Sequence, residues 1–408
     1  TIAALERLDL RTLDTKPAQR AIVVPRDDLP GREARIVERL RALGTEVEVE
    51  PAKGWAMLAA DDPYVADVPV NIWGAVTSWF EGRYARGANA RPPRAQSSAE
   101  VHVDERVVES VVRYGPDARL FAILSEPHDG ADDLGVVLVN TGANPRVGPN
   151  RFNVALARRL ASEGHGVLRI DLAGIGDSPP KEGGTENDLY ASHSIDDVRA
   201  GVDALAARGY RRFVAMGLCS GAYMSFHAAL ADERIGAAVL MNPPVFEWTP
   251  GRKVERIPTR RGDSFRSMRY YKRRALRLET WTRALRGDVQ ARAIAAVIGS
   301  RLASHGKGLV QRGALRLGLG DKLLDDLARK FISLARRNTR VLLLFNDEEP
   351  MLDEIDRHLG GVSDWLSARG LEIATVGDTD HVFAPVWSQE HVADRVAEFV
   401  ERFAESKP

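Results

Sequence analysis

Cysteine is almost missing from this chain: Cys219 stands alone among 408 residues. One thiol excludes an internal disulfide and any metal site built from several thiolates. Long apolar runs are missing as well, so no membrane-spanning helix is expected. The opening residues, TIAALERLDL, lack the basic-then-apolar pattern of a secretory leader, and the cytosol is the expected compartment. Net charge is absent too, with 57 Lys+Arg against 57 Asp+Glu. No nucleic-acid or membrane partner is expected on these grounds, and self-association is left open.

What is present is the composition of a globular protein, 44% hydrophobic and 28% charged, in a chain long enough for more than one module. The charge is unevenly spread. Residues 251–340 hold 24 Lys+Arg and 7 Asp+Glu, a local +17 that the remainder offsets with −17. Such a segment either attracts an anionic partner or is a solvated face balancing an acidic remainder.

From about residue 99 onward, strand and helix patterns alternate. Strands are expected at 107–114, 120–124, 134–140, 166–172, 212–217, 235–241, 340–345 and 371–376. Helices are expected at 150–164, 195–209, 221–231, 353–370 and 389–403. Alternation of this kind predicts an α/β fold, a mostly parallel sheet with helices on both faces.

The stretch Val214-Ala-Met-Gly217-Leu-Cys219-Ser220-Gly221-Ala-Tyr223 joins one of these strands to a helix. Gly-x-nucleophile-x-Gly at such a junction is the pattern of a nucleophile elbow. Glycines at Gly217 and Gly221 remove the Cβ atoms that would collide across the turn. Cys219 is then presented at a helix N-terminus, where the dipole favours an anion. A buried structural cysteine is the competing reading. An elbow needs an acid and then a histidine later in the chain. Asn346-Asp347-Glu348-Glu349-Pro350 follows the strand at 340–345, and Asp378-Thr-Asp-His381 follows the strand at 371–376. Of nine histidines, His381 alone has the right place. His102, His128, His165, His193, His227, His305, His358 and His391 read as surface or packing residues.

These motifs resemble the α/β-hydrolase superfamily over residues 99–408. Asp171-Leu-Ala-Gly174-Ile-Gly176-Asp-Ser178 resembles the turn after that fold's fourth strand. It is not a dinucleotide fingerprint, because Pro179 replaces the third glycine, and no cofactor or metal is expected. GLCSGA at 217–222 and NTGANPRVGPNR at 140–151 are similar to stretches of uncharacterised bacterial serine-aminopeptidase-like hydrolases. This chain departs from the fold's usual pattern with cysteine at the elbow and Asn140-Thr-Gly in place of His-Gly. The resemblance implies a Cys219–His381–Glu349 triad, with Asp347 as the alternative acid. It also implies an oxyanion hole from the backbone of Ser220 and of Thr141, Gly142 or Ala143. Arg146 and Arg151 are candidates to meet an anionic substrate group, or to form a loop–helix salt bridge. Phe246 and Trp248 are candidates to line an acyl pocket, or to pack under a lid.

Residues 243–338 fall where this fold carries a cap, here helical and basic. Residues 1–90 resemble the last third of a hydrolase in the order strand, acid, helix, strand, loop, helix. They lack a histidine, Tyr64 standing nearest its place, and are expected to be inert. Residues 91–98 read as a linker. The expected function is covalent acyl transfer on an ester or thioester, the acyl group carried by coenzyme A or an acyl carrier protein. A plain esterase or lactone hydrolase, and a non-catalytic partner-binding protein, are the alternatives.

Overall fold

A strand that is apolar at every position must be covered on both faces. Leu134–Val139 is buried at all six positions. Its side chains split by alternation, Val137 and Val139 into one core and Leu134, Val136 and Leu138 into the other. The same division holds for Ala215 against Val214 and Met216, and for Leu343 against Leu342 and Leu344.

The computed structural model describes residues 9–58, 69–83, 100–248 and 325–406. They belong to two compact units, divided just before residue 97. In the larger, the strands are β3 (Glu100–His102), β4 (Val107–Tyr114), β5 (Leu120–Pro127), β6 (Leu134–Val139), β7 (Gly166–Ile170), β8 (Arg212–Leu218), β9 (Ile235–Met241), β10 (Arg340–Asn346) and β11 (Leu371–Val376). They form one sheet in the order β11-β10-β9-β8-β6-β7-β5-β4-β3. Pairing is parallel from β11 to β7 and antiparallel from β7 to β3. This is the mostly parallel sheet the alternation predicts. Helices α4 (Phe152–Ser162) and α10 (Val386–Glu405) cover one face through Phe152, Leu156, Leu160, Val396, Phe399 and Phe403. On the other face lie α5 (Ser194–Ala206), α6 (Ser220–Ala231), α7 (Asp326–Arg336), α8 (Met351–Leu359) and α9 (Ser363–Ser367).

Two details differ from expectation. The helix expected over 353–370 is two, α8 stopping at Gly360 and α9 starting at Ser363, because consecutive glycines at 360 and 361 interrupt it. β3 was not anticipated: its residues Glu-Val-His are all exposed, so no hydrophobic alternation announces it.

The strand order sets the position of the site. β6 lies between β7 and β8, so the chain reverses direction across the sheet there. In open α/β sheets ligands bind at such a switch point, beyond the carboxyl ends of the strands. The loops after β6 and β8 meet at this crevice.

The smaller unit has β1 (Arg20–Val23) and β2 (Glu46–Val49) in parallel, joined by α1 (Ala34–Ala42), whose Val37 and Leu40 pack with Val47. The acid after β1, Asp27, accepts hydrogen bonds from the N–H groups of Gly54 and Trp55 at the start of α2 (Trp55–Leu58). Those bonds lower its pKa. Helix α3 (Val70–Glu81) follows. Tyr64, the expected linker at 91–98 and residues 249–324 of the expected cap lie outside the described residues. No described helix is long and apolar enough to cross a membrane.

Candidate active site

β8 runs straight into α6 through one residue, Cys219, held at φ 58° and ψ −121°. L-residues rarely adopt a positive φ, and strain of this kind gathers at functional sites. The glycines either side are required by contact. A Cβ on Gly217 would lie 2.5 Å from the Gly221 carbonyl carbon, and one on Gly221 would lie 2.6 Å from the Asn140 carbonyl oxygen. Both obstacles are backbone and cannot turn aside. Cys219 is buried and is a free thiol.

The ends of successive strands are then pinned to one another in steps. Cys219 N donates to Met241 O at the end of β9 (2.9 Å), Asn242 N to Leu344 O in β10 (2.8 Å), and Asp347 N to Val376 O at the end of β11 (3.0 Å). This ladder brings the elbow, the loop after β10 and the loop after β11 to one edge of the sheet. On it, His381 Nδ1 donates to Glu349 Oε2 at 3.0 Å. Glu349 is 3% exposed, and Asn346 Nδ2 donates to the same oxygen at 2.8 Å. Asp347 points elsewhere, its Oδ2 towards Gly377. The main chain of His381 is held as well: Asn242 Nδ2 donates to its carbonyl (2.8 Å), and Phe383 beyond it is fully buried.

The other ring nitrogen, His381 Nε2, is buried and makes no hydrogen bond of ordinary geometry. Cys219 is nonetheless close enough to act on the ring by charge. Burial lowers the His381 pKa, but the charges of Cys219 and Glu349 and their hydrogen bonding outweigh it and raise the pKa well above the usual histidine value. Hydrogen bonds at such sites often align only when a substrate is bound.

The loop after β6 crosses the elbow. Asn140 Nδ2 donates to Gly142 O (2.9 Å), and Gly142 N donates to Ser220 Oγ (2.8 Å). Of the four backbone amides expected at an oxyanion hole, that of Gly142 is therefore engaged. Those of Ser220, Thr141 and Ala143 have no partner among the described residues.

The other candidates separate. Arg146 binds Asp171 through both its main-chain N (2.6 Å) and Nη1 (2.5 Å), reaches Asp177 at 2.7 Å, and lies over the Phe121 ring. Its guanidinium is paired with two carboxylates of the loop after β7, a loop–loop salt bridge rather than a loop–helix one. Arg151 is exposed at the start of α4, with no ion pair among the described residues. Phe246 packs into the core against Phe226 and Phe331 rather than facing a pocket. Trp248 stacks on Tyr190 at 4.3 Å, and Tyr190 meets Tyr223, one turn along α6 from Cys219. Among the described residues, no group of three acidic, histidine or cysteine side chains could hold a metal ion.

Asn242, outside the quoted motifs, and Asn346 and Asp171, inside them but without an assigned role, are the supporting residues of the site. Two asparagines closing neighbouring apolar strands, β9 and β10, were the available signal.

Residues 136–399, about two-thirds of the chain and spanning every element of this site, match the model of the alpha/beta hydrolase family. The chain belongs to that family. It is similar to an esterase of Pyrococcus furiosus at 15% identity, over 72% of this chain and 90% of that one, with a TM-score of 0.44. It is similar also to a serine hydrolase without a lid from Xanthomonas campestris (16%, 75% and 98%, TM-score 0.40). A third is a dienelactone hydrolase-like promiscuous phosphotriesterase from metagenomic libraries (13%, 72% and 98%, TM-score 0.40). No curated protein sequence matches the chain.

Proposed function

We propose that this member of the family carries out covalent acyl transfer from an ester or thioester, with Cys219 as nucleophile, His381 as base and Glu349 as the acid that orients it. The observation that carries the reading is the line Glu349 Oε2–His381 Nδ1 (3.0 Å), with the second imidazole nitrogen buried beside the one cysteine of the chain. Glu349 fixes the tautomer and stabilises the imidazolium. The raised pKa of His381 favours a thiolate–imidazolium pair.

The thiolate attacks the acyl carbon, and the carbonyl π pair moves to oxygen. When the intermediate collapses, the His381 Nε2 proton passes to the departing alkoxide or thiolate. An acyl-cysteine thioester remains. Its thiolate leaves more readily than an alkoxide would, so it can pass the acyl group to an alcohol or amine as well as to water. Transfer to such an acceptor is the reading we favour over plain hydrolysis. The basic stretch at 251–340 suits a donor on an anionic carrier, coenzyme A or an acyl carrier protein. Arg151 is the exposed cation nearest in sequence to the loop over the elbow.

The test is the intact mass after rapid quenching with p-nitrophenyl acetate or acetyl-coenzyme A. One acetyl adduct on the wild-type chain, absent from Cys219→Ala, supports covalent transfer. Turnover without an adduct site at Cys219, or an adduct that survives its removal, overturns it.

A further inference from the structure

The orphaned polar atoms around the elbow point to a donor of a different kind. Gly142 N–H, an amide expected to face the oxyanion, already donates to Ser220 Oγ at 2.8 Å. Its neighbour Thr141 is 3% exposed, and its Oγ1 is sealed from solvent without a hydrogen-bond partner among the described residues. A buried hydroxyl left in that state is destabilising and calls for a reason.

The place of Thr141 supplies one. The turn that carries it is fastened to the elbow on both sides. A Cβ on Gly221 would lie only 2.6 Å from Asn140 O, and Gly142 N donates to Ser220 Oγ. The Asn140 side chain bridges the turn itself, to Gly142 O. Thr141 is thus clamped between contacts to the two residues that follow Cys219. The Thr141 hydroxyl, beside the elbow and without a partner at rest among the described residues, is the kind of donor that a site complementary to a transition state would hold.

We propose that the Thr141 hydroxyl, in place of the Gly142 amide, is the second donor to the oxyanion, beside the N–H of Ser220. The inference rests on Cys219 being the nucleophile. When the thiolate adds to the acyl carbon, the carbonyl oxygen takes the π pair and accepts from Thr141 Oγ–H and Ser220 N–H. His381 Nε2–H meanwhile faces the leaving group. No atom of Thr141 is transferred. The Ser220 hydroxyl is a positioning group that keeps Gly142, and with it Thr141, against the elbow.

The experiment compares Thr141→Val, which keeps shape and loses the hydroxyl, with Thr141→Ser, which keeps the hydroxyl. Two readouts are needed: kcat/KM for p-nitrophenyl acetate, and the rate at which iodoacetamide alkylates Cys219. Alkylation needs the thiolate but forms no oxyanion. Thr141→Val is expected to lose about 100-fold to 1,000-fold in kcat/KM, the usual loss for one oxyanion donor, with alkylation unchanged. Thr141→Ser is expected to keep most of the activity. Wild-type turnover in Thr141→Val, equal losses in both variants, or alkylation falling in step with turnover would each overturn the role. Should Thr141→Val fail to fold, as judged by its melting curve, Thr141→Ala against Thr141→Ser makes the same comparison. Failure of the underlying reading looks different: the wild-type protein would then neither alkylate fast nor turn over the ester, and the role of Thr141 would fall with it.

Discussion

Replacing Glu349 by glutamine keeps the shape of the side chain and removes its charge. The carboxylate oxygen that meets His381 Nδ1 at 3.0 Å also accepts from Asn346 at 2.8 Å. A glutamine can leave its amide oxygen in that position and keep both bonds. The change therefore isolates charge from geometry. Two unit charges about 4 Å apart at an effective dielectric near 20 attract by roughly 4 kcal/mol, and about 1.4 kcal/mol makes a factor of ten in rate. Glu349→Gln should accordingly lower kcat/KM for p-nitrophenyl acetate by roughly 10³-fold. Asp347→Asn, whose carboxylate points to Gly377, should change it far less. The pH dependence of kcat/KM for an alkyl ester, whose alkoxide must leave with the His381 proton, gives an independent reading. Turnover persists upwards in pH until His381 loses that proton, and its pKa is raised in part by Glu349. Loss of the carboxylate should move this upper limb to lower pH. A larger loss in Asp347→Asn, or an upper limb unmoved in Glu349→Gln, would refute the reasoning.

Other perturbations test the elbow and the charge. Gly217→Ala and Gly221→Ala each place a Cβ within 2.6 Å of backbone, so both should lose at least about 1–3 kcal/mol of stability, read as a lower urea midpoint; wild-type midpoints would disprove the close approach. Cys219→Ala and Cys219→Gly should both abolish turnover, but at φ 58° glycine escapes about 1–3 kcal/mol of strain and should unfold at higher urea than alanine; the reverse order would mean that the elbow is relaxed. With 24 Lys+Arg against 7 Asp+Glu at 251–340, kcat/KM for acetyl-coenzyme A should fall with added salt as screening shortens to roughly 8 Å, while p-nitrophenyl acetate responds little. Equal responses would leave that segment as a solvated face.

The parts of this protein that can be read from sequence are those whose cause is local. β6 is a continuous apolar run because both its faces are covered, so six residues suffice to announce it. Gly217 and Gly221 are legible because the obstacle to a Cβ lies within the turn or directly against it. The break between α8 and α9 is equally local: two adjacent glycines outweigh the apolar period across them. Non-local causes left weaker traces. That Glu349 rather than Asp347 meets His381 turns on the pinning of Asp347 N to β11 and on the amide of Asn346. Arg146 looked available because its partner Asp171 lies 25 residues away, after a different strand. Phe246 leaves β9 as a cap residue would, and only the positions of Phe226 and Phe331 make it core.

The same contrast explains how one sheet can hold such a site steadily. Each residue that starts a functional loop is tied by its own N–H to the carbonyl of the neighbouring strand: Cys219 to β9, Asn242 to β10, Asp347 to β11. Those bonds extend the parallel register, and a slip of one residue would turn every buried side chain of a strand to the opposite face. The cores on both faces of β8, β9 and β10 forbid that slip. The relative height of elbow, acid loop and histidine loop is thus fixed by apolar burial far from the chemistry, and the polar residues add only the last bonds. Exchange of the Cys219 side chain is the change such a frame resists least, since Cys219 enters it through its backbone. Cys219→Ser should therefore leave the Glu349–His381 contact and the melting temperature intact while lowering turnover of thioesters. A structural shift of His381 in that variant would show that the sulfur itself helps to hold the ring.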